Sequence, residues 1–281
     1  MADDIAFTRH EGRRGVLWLV ESYRMFSKHR LPWILMLFGY YALLLVVDVV
    51  PLIGVFVAPM IKPVLAVGFL AAAWTQERGG KPDLRRLLRG FGSNLAALLP
   101  LGIVFVAGVS LALAATALVD GGQLLDMLYG AAPAGEADPT GAARQVQQTL
   151  GSTRVQLALL FGALCALPTI LALWWAPALV VFQDARTLTA LRTSLRAALA
   201  NWRAALRYAL SVFTLGAIVP MMLMTALAYV IPPPLNATVA ALVVLPYLAF
   251  FVATLHISDY VSYRDVFHAG ETLAPIGGAR S

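Results

Sequence analysis

Six stretches of the chain hold apolar residues for about twenty positions with scarcely a charge: 31–50, 55–75, 95–119, 155–175, 205–231 and 237–257. A helix rising 1.5 Å per residue needs about that length to cross a hydrocarbon core of ~30 Å. The pattern predicts six transmembrane helices and an all-α, polytopic membrane bundle. An eight-residue stretch, "APALVVFQ" (176–183), either prolongs the fourth span or lies at the interface. The polar segments between the spans divide a single membrane domain, 1–281, into three helical hairpins. These are 31–75, 94–183 with an outer loop at 120–154, and 205–257. Basic segments at 1–30, 76–93 and 184–204 precede the hairpins, and a tail, 258–281, follows them.

The segment "TLTALRTSLRAALANWR" (187–203) shows helical spacing of Leu188, Leu191, Leu195, Ala198, Leu199 and Trp202, with Arg192, Arg196 and Arg203 expected on the other face. That is the pattern of a helix lying in the headgroup plane, where anionic lipid attracts each basic residue by ~1 kcal/mol. It is equally the pattern of a cap packed on the bundle. Arg192, Arg196 and Arg203 are thus the candidate lipid-contacting residues.

Composition agrees with the span pattern. Hydrophobic residues make up 60% of the 281 and charged ones only 13%, about half the charge of a soluble domain. Eighteen of the 21 basic residues fall in 1–30, 76–93, 184–207 and the tail. The 120–154 loop carries only Arg144 and Arg154 against Asp120, Asp126, Glu136 and Asp138. The positive-inside rule then puts both termini in the cytoplasm and the acidic loop outside. Its "GAAPAGEADPTGAA" stretch is too poor in apolar area to order itself fully. The start of the chain lacks the apolar core and cleavage site of a signal peptide. The net charge of +6 belongs to span flanks, so anionic lipid at the cytoplasmic face is the expected partner, not nucleic acid.

Two charges interrupt the apolar run 46–64, Asp48 and Lys62. Asp48 is expected near the outer edge of the core, and Lys62 roughly 10 Å below it on the returning helix. A lysine there leans toward its helix N-terminus and snorkels outward. The two form a candidate intramembrane ion pair, read first as a latch on hairpin one and second as an ion or substrate site.

"FGSNLAALLPLGIVF" (91–105) reads like "LANWRAALRYALSVF" (199–213), with Asn94 matching Asn201 at the membrane entry, and "FSKHRLPWILMLF" (26–38) is a looser third copy. Hairpins repeated this way are related by an axis along the membrane normal. The stretch "WWAPALVVFQDARTLTALRTSLRAALANWR" (174–203) resembles the membrane domain attached to some glycerophosphodiester phosphodiesterases. It also resembles uncharacterised multi-span bacterial inner-membrane proteins. "ESYRMFSKHRLPW" (21–33), "VVPLIGVFVAPMIKPVLAVGF" (49–69) and "SYRDVF" (262–267) resemble a proteobacterial family within that second group. The resemblance implies six helices in a bacterial inner membrane and supplies no activity.

Reactive constellations do not emerge. His10, His29, His256 and His268 lack metal-ligand spacing, and no cysteine pair, P-loop, dinucleotide fingerprint or nucleophile elbow occurs. No catalytic, cofactor or metal residue is assigned. His29 and His256 read as structural residues at span ends, and Cys165 as a small core residue. The reading that results is a non-enzymatic multi-pass inner-membrane protein, a scaffold, accessory or envelope factor acting through lipid or protein contacts. A small transporter or lipid-handling carrier is the alternative.

Overall fold

A computed structural model of the chain describes residues 5–49, 54–130 and 139–269. These are helical throughout, without a strand among the described residues. Six helical stretches are long and apolar enough to cross a membrane: Arg30–Asp48, Val57–Glu77, Leu95–Asp120, Thr153–Gln183, Trp202–Val230 and Leu235–Phe267. Residues 50–53 and most of the "GAAPAGEADPTGAA" stretch lie outside the described residues.

The chain forms two compact units, Met1–Gly102 with Ala172–Ser281, and Ile103–Leu171. In the first, α1 (Arg13–Lys28) runs into α2 (Arg30–Asp48) through a break at His29, whose φ of −143° and ψ of 57° are not helical. α1 is amphipathic and buries Trp18, Leu19, Ser22 and Phe26. α3 (Gly54–Glu77) returns beside α2, and a 3-10 segment, Leu84–Gly92, lies across it. Glycines allow that close crossing. A Cβ on Gly90 would strike the Val64 carbonyl, and one on Gly68 the Leu87 backbone. Asp83 starts the 3-10 segment by accepting the Arg85 amide at 3.0 Å.

The second unit holds most of α4 (Leu95–Asp120) and α7 (Thr153–Trp174) with α5 (Gln123–Tyr129) and α6 (Pro139–Gly151). Small residues set the approach of α4 to α7. A Cβ on Gly108 would meet the Thr169 side chain, and one on Gly162 that of Thr116, the small-to-small contact that lets membrane helices pack closely. Asp120 ends α4 buried, its carboxylate accepting the Gly122 and Leu124 amides at 2.8 and 2.9 Å to start α5. The 120–154 loop therefore carries helices on both sides of its acidic centre. Cys165 is exposed on α7, a correction to its expected core position; Gly162 and Ala158 hold the packed face instead.

The helix is interrupted at Trp175 and resumes as α8 (Ala176–Gln183), which prolongs the fourth candidate span to Thr153–Gln183, one of the two placements expected. Ala176, Ala178, Leu179, Val180 and Val181 are all buried. α9 (Thr187–Ala200) and α10 (Trp202–Phe213) follow, separated at Asn201. The fifth span continues through a π-helical turn, Thr214–Ile218, into α11 (Val219–Val230). α12 (Pro233–Phe267) forms the sixth span and runs ten residues past the expected end at 257. The overrun has a helical core of its own, since Ile257, Tyr260, Val261, Tyr263 and Val266 are wholly buried.

Candidate functional site

The polar residues of the first unit gather where α1, the end of α3 and the end of α12 meet. Arg14 stands at the centre. Its Nε donates to Asp265 Oδ2 at 2.6 Å, its Nη2 to Oδ1 at 2.9 Å, and its Nη1 to Glu21 at 2.8 Å. Glu21 also accepts from Arg264 at 3.2 Å, and Arg264 pairs with Glu77, which accepts the Tyr260 hydroxyl. Asp265 further accepts the Trp18 indole N–H at 2.8 Å, and His10 Nε2 lies 3.5 Å from it. The hydrogen bond to Asp265 raises the Arg14 guanidinium above its ordinary pKa. The chain of charges alternates in sign, so each carboxylate faces a guanidinium.

Beside this seam lies an aromatic cluster. Trp174 stacks on Trp175 with ring centres 4.5 Å apart and on Tyr208 at 5.1 Å, and Trp18 meets both indoles edge-on. The indole of Trp175 donates to Ser262 at 2.9 Å and its amide to Ser194 at 3.1 Å, so the cluster joins α8, α9 and α12. The Trp residues have apolar bodies and satisfied N–H groups, as burial requires. His256 stacks on Phe69 at 4.0 Å and meets Tyr40 edge-on, a packing role inside the bundle and not at its rim.

Asn201 organises the break between α9 and α10. Its Oδ1 accepts the His10 amide at 2.7 Å, and its Nδ2 donates to the carbonyls of Thr8 and Ala197, each at 3.0 Å. The Thr8 amide in turn donates to the Val266 carbonyl at 2.7 Å. Residues 8–10 are thereby strapped to both α9 and the end of α12. Asn94, its counterpart in the sequence repeat, also precedes a helix, accepting the Ala97 amide at 3.3 Å and donating to Asp184 at 3.2 Å.

Arg192, Arg196 and Arg203 are all exposed. The face opposite them is not the leucine face expected. α9 buries Ala190, Thr193, Ser194, Ala197 and Ala198, while Leu188, Leu199 and Trp202 are 56%, 56% and 55% exposed alongside the arginines. Small side chains let the helix approach the bundle closely: Ala198 is buried as expected, Leu191 and Leu195 are half-buried, and Leu188, Leu199 and Trp202 turn outward.

Asp48 is the last residue of α2 and is exposed. Gly54, where α3 starts, packs against its backbone, a Cβ there lying 2.7 Å from Asp48 Cα. Lys62 comes eight residues later, about 12 Å down the helix, and is half-buried.

Sequence reasoning missed Glu21, Glu77, Asp259 and Asp265. A signal was present: they are rare acids among many basic residues at one end of the spans, and such acids find guanidinium or indole partners. Asp259 receives the Trp174 indole.

Two hollows flank α1 on its α10 side. One, of about 630 Å³, is lined by Arg9, Arg13, Arg203 and Arg207 with Glu11 and Trp202 among them. The other, of about 710 Å³, is apolar and lies between α1, α10, the π-helical turn and α12.

Along 94% of both chains, this sequence is 28% identical to a probable inner membrane protein of Burkholderia thailandensis. No family model matches it. No solved structure matches it either.

Proposed function

We propose that the chain is a multi-pass protein of the bacterial inner membrane, both termini cytoplasmic, that acts through contacts with lipid and other proteins and not by catalysis. The observation that carries the lipid contact is the exposure of Leu188, Leu199 and Trp202 beside Arg192, Arg196 and Arg203. A cap surrounded by water gains by turning leucine and tryptophan inward. A helix in the headgroup plane gains by keeping them outward against acyl chains, with the guanidiniums at phosphate level. The likeness to a probable inner membrane protein supports the location. The non-catalytic reading draws on the seam, where Glu21, Glu77 and Asp265 are each engaged by arginine and so fasten three helices together.

The test is lipid preference in mixed bilayers. Arg192→Gln with Arg196→Gln should lower enrichment of anionic over zwitterionic lipid around the protein, more at low salt than at high. An unchanged preference would leave α9 as a cap. A transporter or lipid-handling carrier is the second reading, favoured by the π-helical turn in the fifth span. There the Tyr247 hydroxyl donates to the Leu215 carbonyl at 2.5 Å, a side-chain repair of an irregular membrane helix. Substrate-dependent flux in proteoliposomes would decide for it.

A further inference from the structure

The two hollows beside α1 share their walls. On α10 and the π-helical turn that continues it, Arg203 and Arg207 line the basic one and Leu210 and Thr214 the apolar one. Those four positions are spaced 4, 3 and 4 residues apart and so form one stripe on the helix. On the other wall, Arg13 lines the basic hollow, while Val16, Val20 and Tyr23 line the apolar one, spaced 3, 4 and 3 apart. Both helices therefore change from arginine to hydrocarbon along a single stripe, and they change side by side. Gly15 locks that alignment, its Cα packed against the Ala204 carbonyl and the Tyr208 amide. Arg207 lies across Gly12, where a Cβ would sit 3.0 Å from its Nε.

We propose that these hollows form one site for an anionic phospholipid, the phosphate among Arg9, Arg13, Arg203 and Arg207 and an acyl chain in the groove against Val20, Leu210, Leu215 and Phe251. The inference rests on the lipid-contact reading above and narrows it to a retained molecule. The charge order decides the occupant. Four guanidiniums against the single carboxylate of Glu11 suit a phosphate, which arginine binds through paired N–H donors. A soluble phosphate has no use for the apolar groove that continues the same two stripes, and an acyl chain does. Thr214 and Leu215 belong to the π-helical turn, an irregularity frequent at functional sites.

The experiment counts lipid held by the full-length protein. It is purified from membranes containing equal parts phosphatidylglycerol and phosphatidylcholine, washed with detergent, and weighed intact by native mass spectrometry. Wild type should retain phosphatidylglycerol selectively. Arg9→Gln, Arg13→Gln and Arg207→Gln combined should lower the retained fraction about tenfold or more, and the matching lysine variant should keep most of it. Val20→Trp with Leu215→Trp fills the groove at unchanged charge and should also expel the lipid. Arg192→Gln with Arg196→Gln should leave the retained molecule in place while reducing bulk enrichment, which separates this site from the α9 face. Retention unchanged by the triple glutamine variant would overturn the proposal. So would displacement of the lipid by inorganic phosphate as readily as by phosphatidylglycerol, which would mark a headgroup-only anion site. Retention that survives both tryptophans would overturn the acyl groove, and loss in the Arg192/Arg196 variant would move the lipid to α9.

Discussion

Arg14 and Asp265, 251 positions apart, meet in a two-pronged ion pair that ties the start of α1 to the end of α12. Their side chains are 26% and 13% exposed, so the pair is screened less than a surface bridge but is not sealed from solvent. Asp265→Asn also weakens the bond from Trp18 and leaves Arg14 with Glu21 alone. It should cost about 1.5–3 kcal/mol, the range for a hydrogen bond to a charged group. Thermal unfolding in detergent reads the loss. Arg14→Gln should cost a similar amount, and the double variant clearly less than the two together. Full additivity would mean that the ends of α1 and α12 are held by packing alone.

Gly15 is the second point at which α1 depends on one residue. Any side chain there must displace the backbone of α10, because the atoms it meets are a carbonyl and an amide. Gly15→Val should therefore lower stability by at least about 1–3 kcal/mol, the usual range for overpacking. It should also expose the Arg13–Arg14 region to trypsin. Gly92→Ala is the control, since nothing lies within 4 Å of its Cβ position. Equal protease resistance of the two variants would argue against the close α1–α10 crossing.

The six spans were legible because length and hydropathy suffice for them. Their ends were less so, for a physical reason. The sequence places the sixth span's end at 257 because Asp259, Arg264 and Asp265 follow, and charges read as water. In the structure those residues stay on α12 because Arg14, Trp18, Glu77 and Trp174 meet them, partners contributed by distant parts of the chain. The α9 face failed for a related reason. Periodicity marks Leu188 and Leu199 as the inner face, but small side chains pack more closely, and Ala190, Ser194 and Ala197 take that face here. The exposed arginines of α9 were legible singly. The pocket of Arg9, Arg13, Arg203 and Arg207 was not, since nothing local shows that α1 lies beside α10.

The pair expected between Asp48 and Lys62 has a direct test. Gly54 fixes the start of α3 at the level of Asp48, and about 12 Å of helical rise then separates Lys62 from the acid. A lysine leaning outward covers part of that distance. Lys62→Met should lower the melting temperature, and adding Asp48→Asn should restore part of the loss, a coupling above about 1 kcal/mol. Losses that add within about 0.5 kcal/mol would mean that the two do not interact and that there is no latch.

Orientation follows from where the arginines lie. The strap of residues 8–10 holds the described start of the chain against the end of α12, so both belong to one side of the membrane whichever side that is. The same end carries the seam and the basic hollow, with Arg9, Arg13, Arg203 and Arg207. Moving so many guanidiniums across a bilayer against the positive-inside bias is unfavourable, so the cytoplasm is the side expected for this end. Reporter fusions after Arg85, Arg192 and Ser281 should therefore give a cytoplasmic signal, and a fusion near Ala137 an external one. An external signal after Arg192 with a cytoplasmic one after Arg85 would break the three-hairpin arrangement. A uniform reversal of all four would keep the hairpins and invert the protein, placing the arginine pocket at the outer leaflet. A cytoplasmic signal near Ala137 with the other three unchanged would mean that α4 and α7 do not cross, despite 26 and 22 helical residues that reach beyond the ~30 Å core at 1.5 Å each.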